Sequence, residues 1–195
     1  MRFLRDALIT VLAVLVVIVA TAYVKVKDGG LSATEKPGRV ESVVARRLLR
    51  LAIPAEAHTL TNPHAQDPRT WHEAADHYGD HCGICHGRDG HGRTEIGGNM
   101  YPNVPDLAAP AVQQLSDGDL FYIIQNGVRW SGMPAWQREH TPDETWKLVS
   151  FIRQVPSLTE EDLHGMEATE HEADHRHQHH DADRKPGQKA APPHR

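Results

Sequence analysis

The chain has only two cysteines, and they stand three apart in His81-Cys82-Gly83-Ile84-Cys85-His86-Gly87. This spacing constrains the chain more than any other feature. Two cysteines cannot build a disulfide framework, so the 195 residues must fold around their own apolar core. The pair can make one bridge, one redox couple, half a zinc site or one cofactor attachment. The histidine directly after the second cysteine separates these options.

Apolar residues make up 39% of the chain and charged residues 24%, enough for one ordinary domain with extras or two small ones. A net charge of −5 argues against nucleic acid as a partner. The apolar residues are unevenly spread. Ala7 to Val24 is an uncharged run of 18 residues, opened by Arg2 and Arg5 and closed by Lys25 and Lys27. A membrane-spanning helix needs ~20 mostly apolar residues, so residues 1–25 read as a membrane anchor. Ala20-Thr21-Ala22 is also a plausible cleavage site, which makes a secretory signal the alternative. Both readings export everything after residue 25.

Residues 26–69 form a connector punctuated by Gly29-Gly30, Pro37, Pro54, Pro63 and Pro68. Within it, Val40, Val43, Val44, Leu48 and Leu51 fall at helical spacing beside Arg46, Arg47 and Arg50. This basic amphipathic helix either lies on anionic headgroups or packs against the domain or a partner subunit, and the second is favoured. The folded domain is expected over 70–157. Its first helix places Trp71, Ala74, Ala75, Tyr78 and Cys82 on one face. A second helix starts at the cap Ser116 and stops at Gly127. A third starts at Thr141 with Pro142 and Glu144, a capping box, and stops at Pro156. Between the first two lies a long loop rich in glycine and proline. No stretch alternates as a strand, so the fold is small and all-α. Residues 158–195 hold too few apolar residues to offset ordering entropy and read as a disordered, histidine-rich tail.

Cys82-x-x-Cys85-His86 is the attachment motif for c-type haem. Two thiols one helical turn apart can each form a thioether with the porphyrin edge, and the next residue then reaches the iron. A thioredoxin-like couple needs a strand–helix setting, which this pattern lacks. A zinc site needs two further ligands at a different spacing. For the second axial position Met133 is the first candidate, because Gly132 and Pro134 set it on a stiff loop open to a flat ligand. Met100 is the second, and His91 and His140 are weaker. Trp130, Trp136 and Tyr101 either line the haem pocket or simply pack.

At these residues the chain resembles class I c-type cytochromes, and more closely the mono-haem domain of subunit III of cbb-type oxidases. The segments that carry the resemblance are YGDHCGICHG, YPNVPDL, LSDGDLFYIIQNGVRWSGMPAW and DETWKLVSFIRQVP. It implies a class I cytochrome c fold with one covalent haem c. It implies thioethers at Cys82 and Cys85, with His86 and Met133 as axial ligands. It also implies that the first and last helices cross, with Ala74, Tyr78 and Cys82 facing Trp146 and Val149.

The function expected is electron transfer by a carrier rather than an enzyme, on its own or as a subunit of an oxidoreductase complex. Its partners are redox proteins and, through the N-terminal segment, a membrane. The location is the bacterial cytoplasmic membrane, crossed once, with the haem domain in the periplasm; the alternative is a secreted periplasmic protein. The competing reading is a metal-binding or redox-sensing protein built on the tail, where His171, His175, His177, His179 and His180 could take a divalent metal. A peroxidase reading is weaker, because Met133 would close the iron position it needs.

Overall fold

The computed structural model describes residues 2–29, 32–65, 67 and 69–166, and among these all regular structure is helical. The first helix, α1 (Arg2–Gly29), absorbs the whole N-terminal apolar run. It is long and apolar enough to cross a membrane, and none of that surface is buried against the rest of the protein. Next comes α2 (Arg39–Ala52), the basic amphipathic helix. None of its residues is buried. The packing against the domain that the sequence favoured is therefore not seen, and Val40 and Leu51 stay 77% and 81% exposed. One side-chain bond links α2 to the loops of the domain, from the Tyr101 hydroxyl to the Glu41 carboxylate.

The centre of the domain is the pairing of α3 (Thr70–His81) with α8 (Pro142–Gln154). Ala74, Ala75 and Tyr78 on α3 meet Leu148, Val149, Phe151 and Ile152 on α8, all buried. The Tyr78 and Phe151 rings lie 4.2 Å apart. Between these helices in sequence come three four-residue helices, α4 (Gly83–His86), α5 (Glu95–Gly98) and α6 (Pro110–Gln113), and then α7 (Asp117–Asn126). The ring that meets Tyr78 is Phe151; Trp146 stacks instead on Phe121 of α7, with centroids 4.2 Å apart. The broad apolar face of α8 thus serves α3 and α7 together. Arg153 fastens the far end of α8, bonding the carboxylate of Asp117 and the carbonyls of Gln113 and Leu115.

The folded body begins before residue 70 and continues past 157. Ile53 and Ala57 are buried, and a 3-10 turn at Ala57–Thr59 packs on α7. Asn62 donates from Nδ2 to the Trp146 carbonyl (3.1 Å) and to Ser150 Oγ (2.9 Å). At the other end, residues 160–166 are helical, and Leu158, Leu163 and Met166 pack on the core. Each extension seats only two or three apolar residues on the domain, among polar ones, which is too few to show a period in the sequence. The tail histidines from His171 onward lie outside the described residues.

Candidate cofactor site

Helix α3 stops at His81. Cys82 is the hinge between it and α4, which carries Gly83, Ile84, Cys85 and His86. Hydrogen bonds hold this turn on both sides. The backbone N–H of His86 donates to the Cys82 carbonyl (2.9 Å), and that of Gly92 donates to the His86 carbonyl (2.6 Å). Thr94 Oγ1 donates to the Cys85 carbonyl (3.1 Å) and accepts from the Gly97 N–H (2.8 Å). The Tyr78 hydroxyl donates to the Gly87 carbonyl (2.9 Å). Burial, and then the neighbouring Cys82 and Asp89, push the Tyr78 hydroxyl far above its ordinary range, so it keeps its proton and this bond. The long loop after the motif is thereby tied to α3 and α4.

Both cysteines are free thiols. Burial, and then the adjacent Cys85, push the Cys82 thiol up to about 12. A redox couple needs a ready thiolate at neutral pH, so this environment opposes that chemistry. His86 is held below its ordinary range by burial, while the Pro105 carbonyl pulls weakly the other way. That carbonyl does not reach hydrogen-bond geometry, and His86 Nδ1 stays buried with no partner. The imidazole is therefore neutral at pH 7.

Met133 sits on the loop between α7 and α8. Its N–H donates to Ser131 Oγ (3.1 Å), and its carbonyl accepts from the Val128 N–H (3.2 Å). Gly127, at φ +65°, closes that loop. A Cβ there would meet the Pro134 carbonyl carbon and oxygen at 2.6 Å, so glycine is required both by backbone angle and by space. Met133 packs partly buried on the core. Met100 comes to the same loop: a Cβ on Gly132 would stand 1.6 Å from its methyl. The two methionines singled out in the sequence thus meet one short loop.

The weaker candidates are engaged elsewhere. His91 Nδ1 pairs with Asp106 Oδ1 at 3.0 Å, and His140 Nε2 with His77 Nε2 at 3.0 Å. Trp130 is 89% exposed, Tyr101 bonds to Glu41, and Trp136 stacks on His140. Sequence reasoning missed the gathering of His77, His81 and His140. The i,i+4 spacing of the first two was visible, but not the arrival of His140 beside them.

The residues suit a c-type haem. Two free thiols share a single turn, a neutral imidazole follows them with one ring nitrogen uncommitted, and a methionine is held by its backbone on a separate loop. A family model described as cytochrome c oxidase, cbb3-type, subunit III, matches residues 69–152. A search of the curated proteins finds no match to the chain. The helical fold, the motif turn and the matched span agree: over residues 69–152 the chain is similar to the cytochrome c domain of cbb3-type oxidase subunit III, a family of haem-based electron transfer.

Proposed function

We propose that the protein carries electrons by one haem c, bound through thioethers at Cys82 and Cys85, with His86 and Met133 as the axial ligands. The observation that carries this reading is His86, a half-buried neutral imidazole directly after the second cysteine, with its Nδ1 buried and unpartnered. A metal-ligating histidine keeps one nitrogen for the metal and gives the other N–H to a carbonyl. Pro105 offers that carbonyl. When bound, the group supplies a one-electron ferric/ferrous couple. The chain does the rest. Cys82 and Cys85, at the end of α3, would hold the group covalently. Ser131 and Val128 hold the Met133 backbone in place. A thioether ligand favours the reduced state and raises the potential.

Helix α1 supports a membrane setting. It anchors the chain by a single crossing of the bacterial cytoplasmic membrane, with the haem domain on the periplasmic side. There it serves a redox partner or sits within an oxidase complex. Tethering of this kind raises the effective concentration of the carrier near a membrane partner.

The test is expression of the full chain with a covalent-haem maturation system, followed by a pyridine haemochrome and oxidised and reduced spectra. One haem per chain, resistant to denaturing extraction, is expected. Met133→Ala should abolish the long-wavelength sulfur–iron band of the ferric form. It should also lower the midpoint potential by on the order of a tenth of a volt or more, within the ~0.8 V range that axial ligands span. Absence of covalent haem would overturn the whole reading. Unchanged spectrum and potential in Met133→Ala would overturn the ligand alone and turn attention to Met100.

A further inference from the structure

We infer that His77, His81 and His140 form a binding site for one divalent first-row transition-metal ion of the zinc, copper and nickel class. His77 and His81 lie one turn apart on α3, on the same face. His140 comes from the residue before Thr141, the N-cap of α8. One ring nitrogen from each of the three lies within 4.8 Å of the other two. The site is distinct from the motif turn and stands whether or not the haem reading holds.

The rings are arranged as ligands. The Nε2 atoms of His77 and His140 face each other at 3.0 Å. Two nitrogens at tetrahedral positions on an ion ~2.0–2.1 Å away stand roughly 3.3 Å apart, so this pair needs almost no adjustment. His81 Nδ1 lies 3.2 Å from the His77 carbonyl. A carbonyl only accepts, so the proton is on Nδ1 and the lone pair on Nε2. That is the tautomer a metal-ligating histidine adopts when a backbone carbonyl orients it. His81 is exposed and can swing its ring to close the remaining distance.

His140 is the fixed member. It is only 4% exposed, and its ring stacks on Trp136 with centroids 4.7 Å apart and planes within 10°. Its backbone N–H donates to the Trp136 carbonyl at 2.8 Å. Packing thus positions the ring, yet neither ring nitrogen is committed to a protein acceptor other than His77. Nε2 meets His77 alone, and Nδ1 is buried with no partner. With the proton on Nδ1, the Nε2 lone pair is the one offered to an ion beside His77.

Charge and chemistry agree. Burial, and then the neighbouring histidines, hold His77 and His140 below their ordinary range, so both are neutral near pH 7, as ligation requires. Asp80 and Glu144 act on His77, and Glu139 and Glu144 on His140, giving negative charge around an incoming cation. Three imidazoles with no carboxylate among them suit zinc, copper(II) or nickel(II), and not magnesium or calcium. The fourth position is left for water.

The test uses the full haem-loaded chain with His171, His175, His177, His179, His180 and His194 replaced by asparagine, so that the tail takes up no metal. Zn2+ is titrated calorimetrically into this protein, then into the same protein carrying His81→Ala, and into a third with His77→Gln. Saturable uptake near one equivalent is expected, weakened roughly tenfold or more by each substitution. Zinc should raise the unfolding temperature of the first protein and not of the His81→Ala variant. His81 is exposed, so its loss leaves the fold intact, which far-ultraviolet circular dichroism checks. If His77→Gln fails to fold, His81→Ala decides alone. No saturable uptake, or uptake unchanged in a folded His81→Ala protein, would overturn the site.

Discussion

Gly118 is the described glycine most tightly confined by backbone atoms. A Cβ at this position, in the first turn of α7, would stand 1.8 Å from the Ala57 carbonyl oxygen and 2.9 Å from Leu60 Cβ. Two effects of Gly118→Ala compete. Alanine stabilises a helix by up to ~1 kcal/mol over glycine. Overpacking costs about 1–3 kcal/mol, and here the obstacle is backbone, which yields less than a side-chain tip. The clash wins, so we expect a net loss of about 1–2 kcal/mol. Thermal unfolding of the purified protein checks this; a raised midpoint would mean that the turn at 57–59 is not seated on α7. This residue also marks what a sequence can reveal. Cys82, Cys85 and His86 are legible because their chemistry needs only neighbours along the chain. The meaning of Gly118 depends on Ala57, and that of His77 on His140, each about 60 positions away. Such contacts leave no local pattern.

At the scale of elements, the helix starts were the most legible feature, because capping is local chemistry. Thr141 Oγ1 accepts from the Glu144 N–H (3.3 Å), and Glu144 returns a bond to the Thr141 N–H (2.7 Å), as the sequence pattern implies. The start of α7 holds more than Ser116 suggests. Asp119 accepts from the Ser116 N–H (2.9 Å) and also meets His58 Nδ1 at 2.5 Å, tying the 3-10 turn of the connector to the helix. Burial alone would raise the Asp119 carboxyl. The Ser116 amide, the His58 ring and the Ser116 hydroxyl outweigh it and hold the group below its usual 3.8. A carboxyl depressed on folding contributes stability that is complete above its unfolded value and is lost as pH falls from there through the folded one. Asp119→Asn should therefore cost about 1 kcal/mol at pH 7. The gap between wild type and variant should stay level down to about pH 5 and close below about pH 4. Urea unfolding across that range measures it. Taking the difference against the variant isolates Asp119 from Asp143, Glu144 and Asp162, whose carboxyls are also depressed. A gap independent of pH would mean that the charge plays no part.

At the scale of the whole molecule, the apolar surface is divided into two unlike parts. The domain buries its own on the α3–α8 core, whereas α1 exposes Leu8, Leu12, Leu15, Val16, Val19 and Tyr23 among others. A 28-residue helix is ~42 Å long, more than the ~30 Å hydrocarbon core of a bilayer. Water is a poor environment for that much unpartnered apolar surface, and a bilayer accounts for it. The helix α2 follows with its own apolar residues exposed and with Arg46, Arg47 and Arg50 beside them. Adsorption through those arginines alone would be electrostatic. It would fail in 1 M salt, where the screening length falls to about 3 Å. A spanning α1 would not respond to salt. We therefore expect the chain in the membrane fraction, retained through a 1 M salt wash and an alkaline wash and released by detergent. Its intact mass should include residues 1–24. Release by salt would assign the attachment to α2. A soluble protein shortened after Ala22 would make the apolar run a cleaved signal, and the carrier would then diffuse to its partner instead of being held beside it.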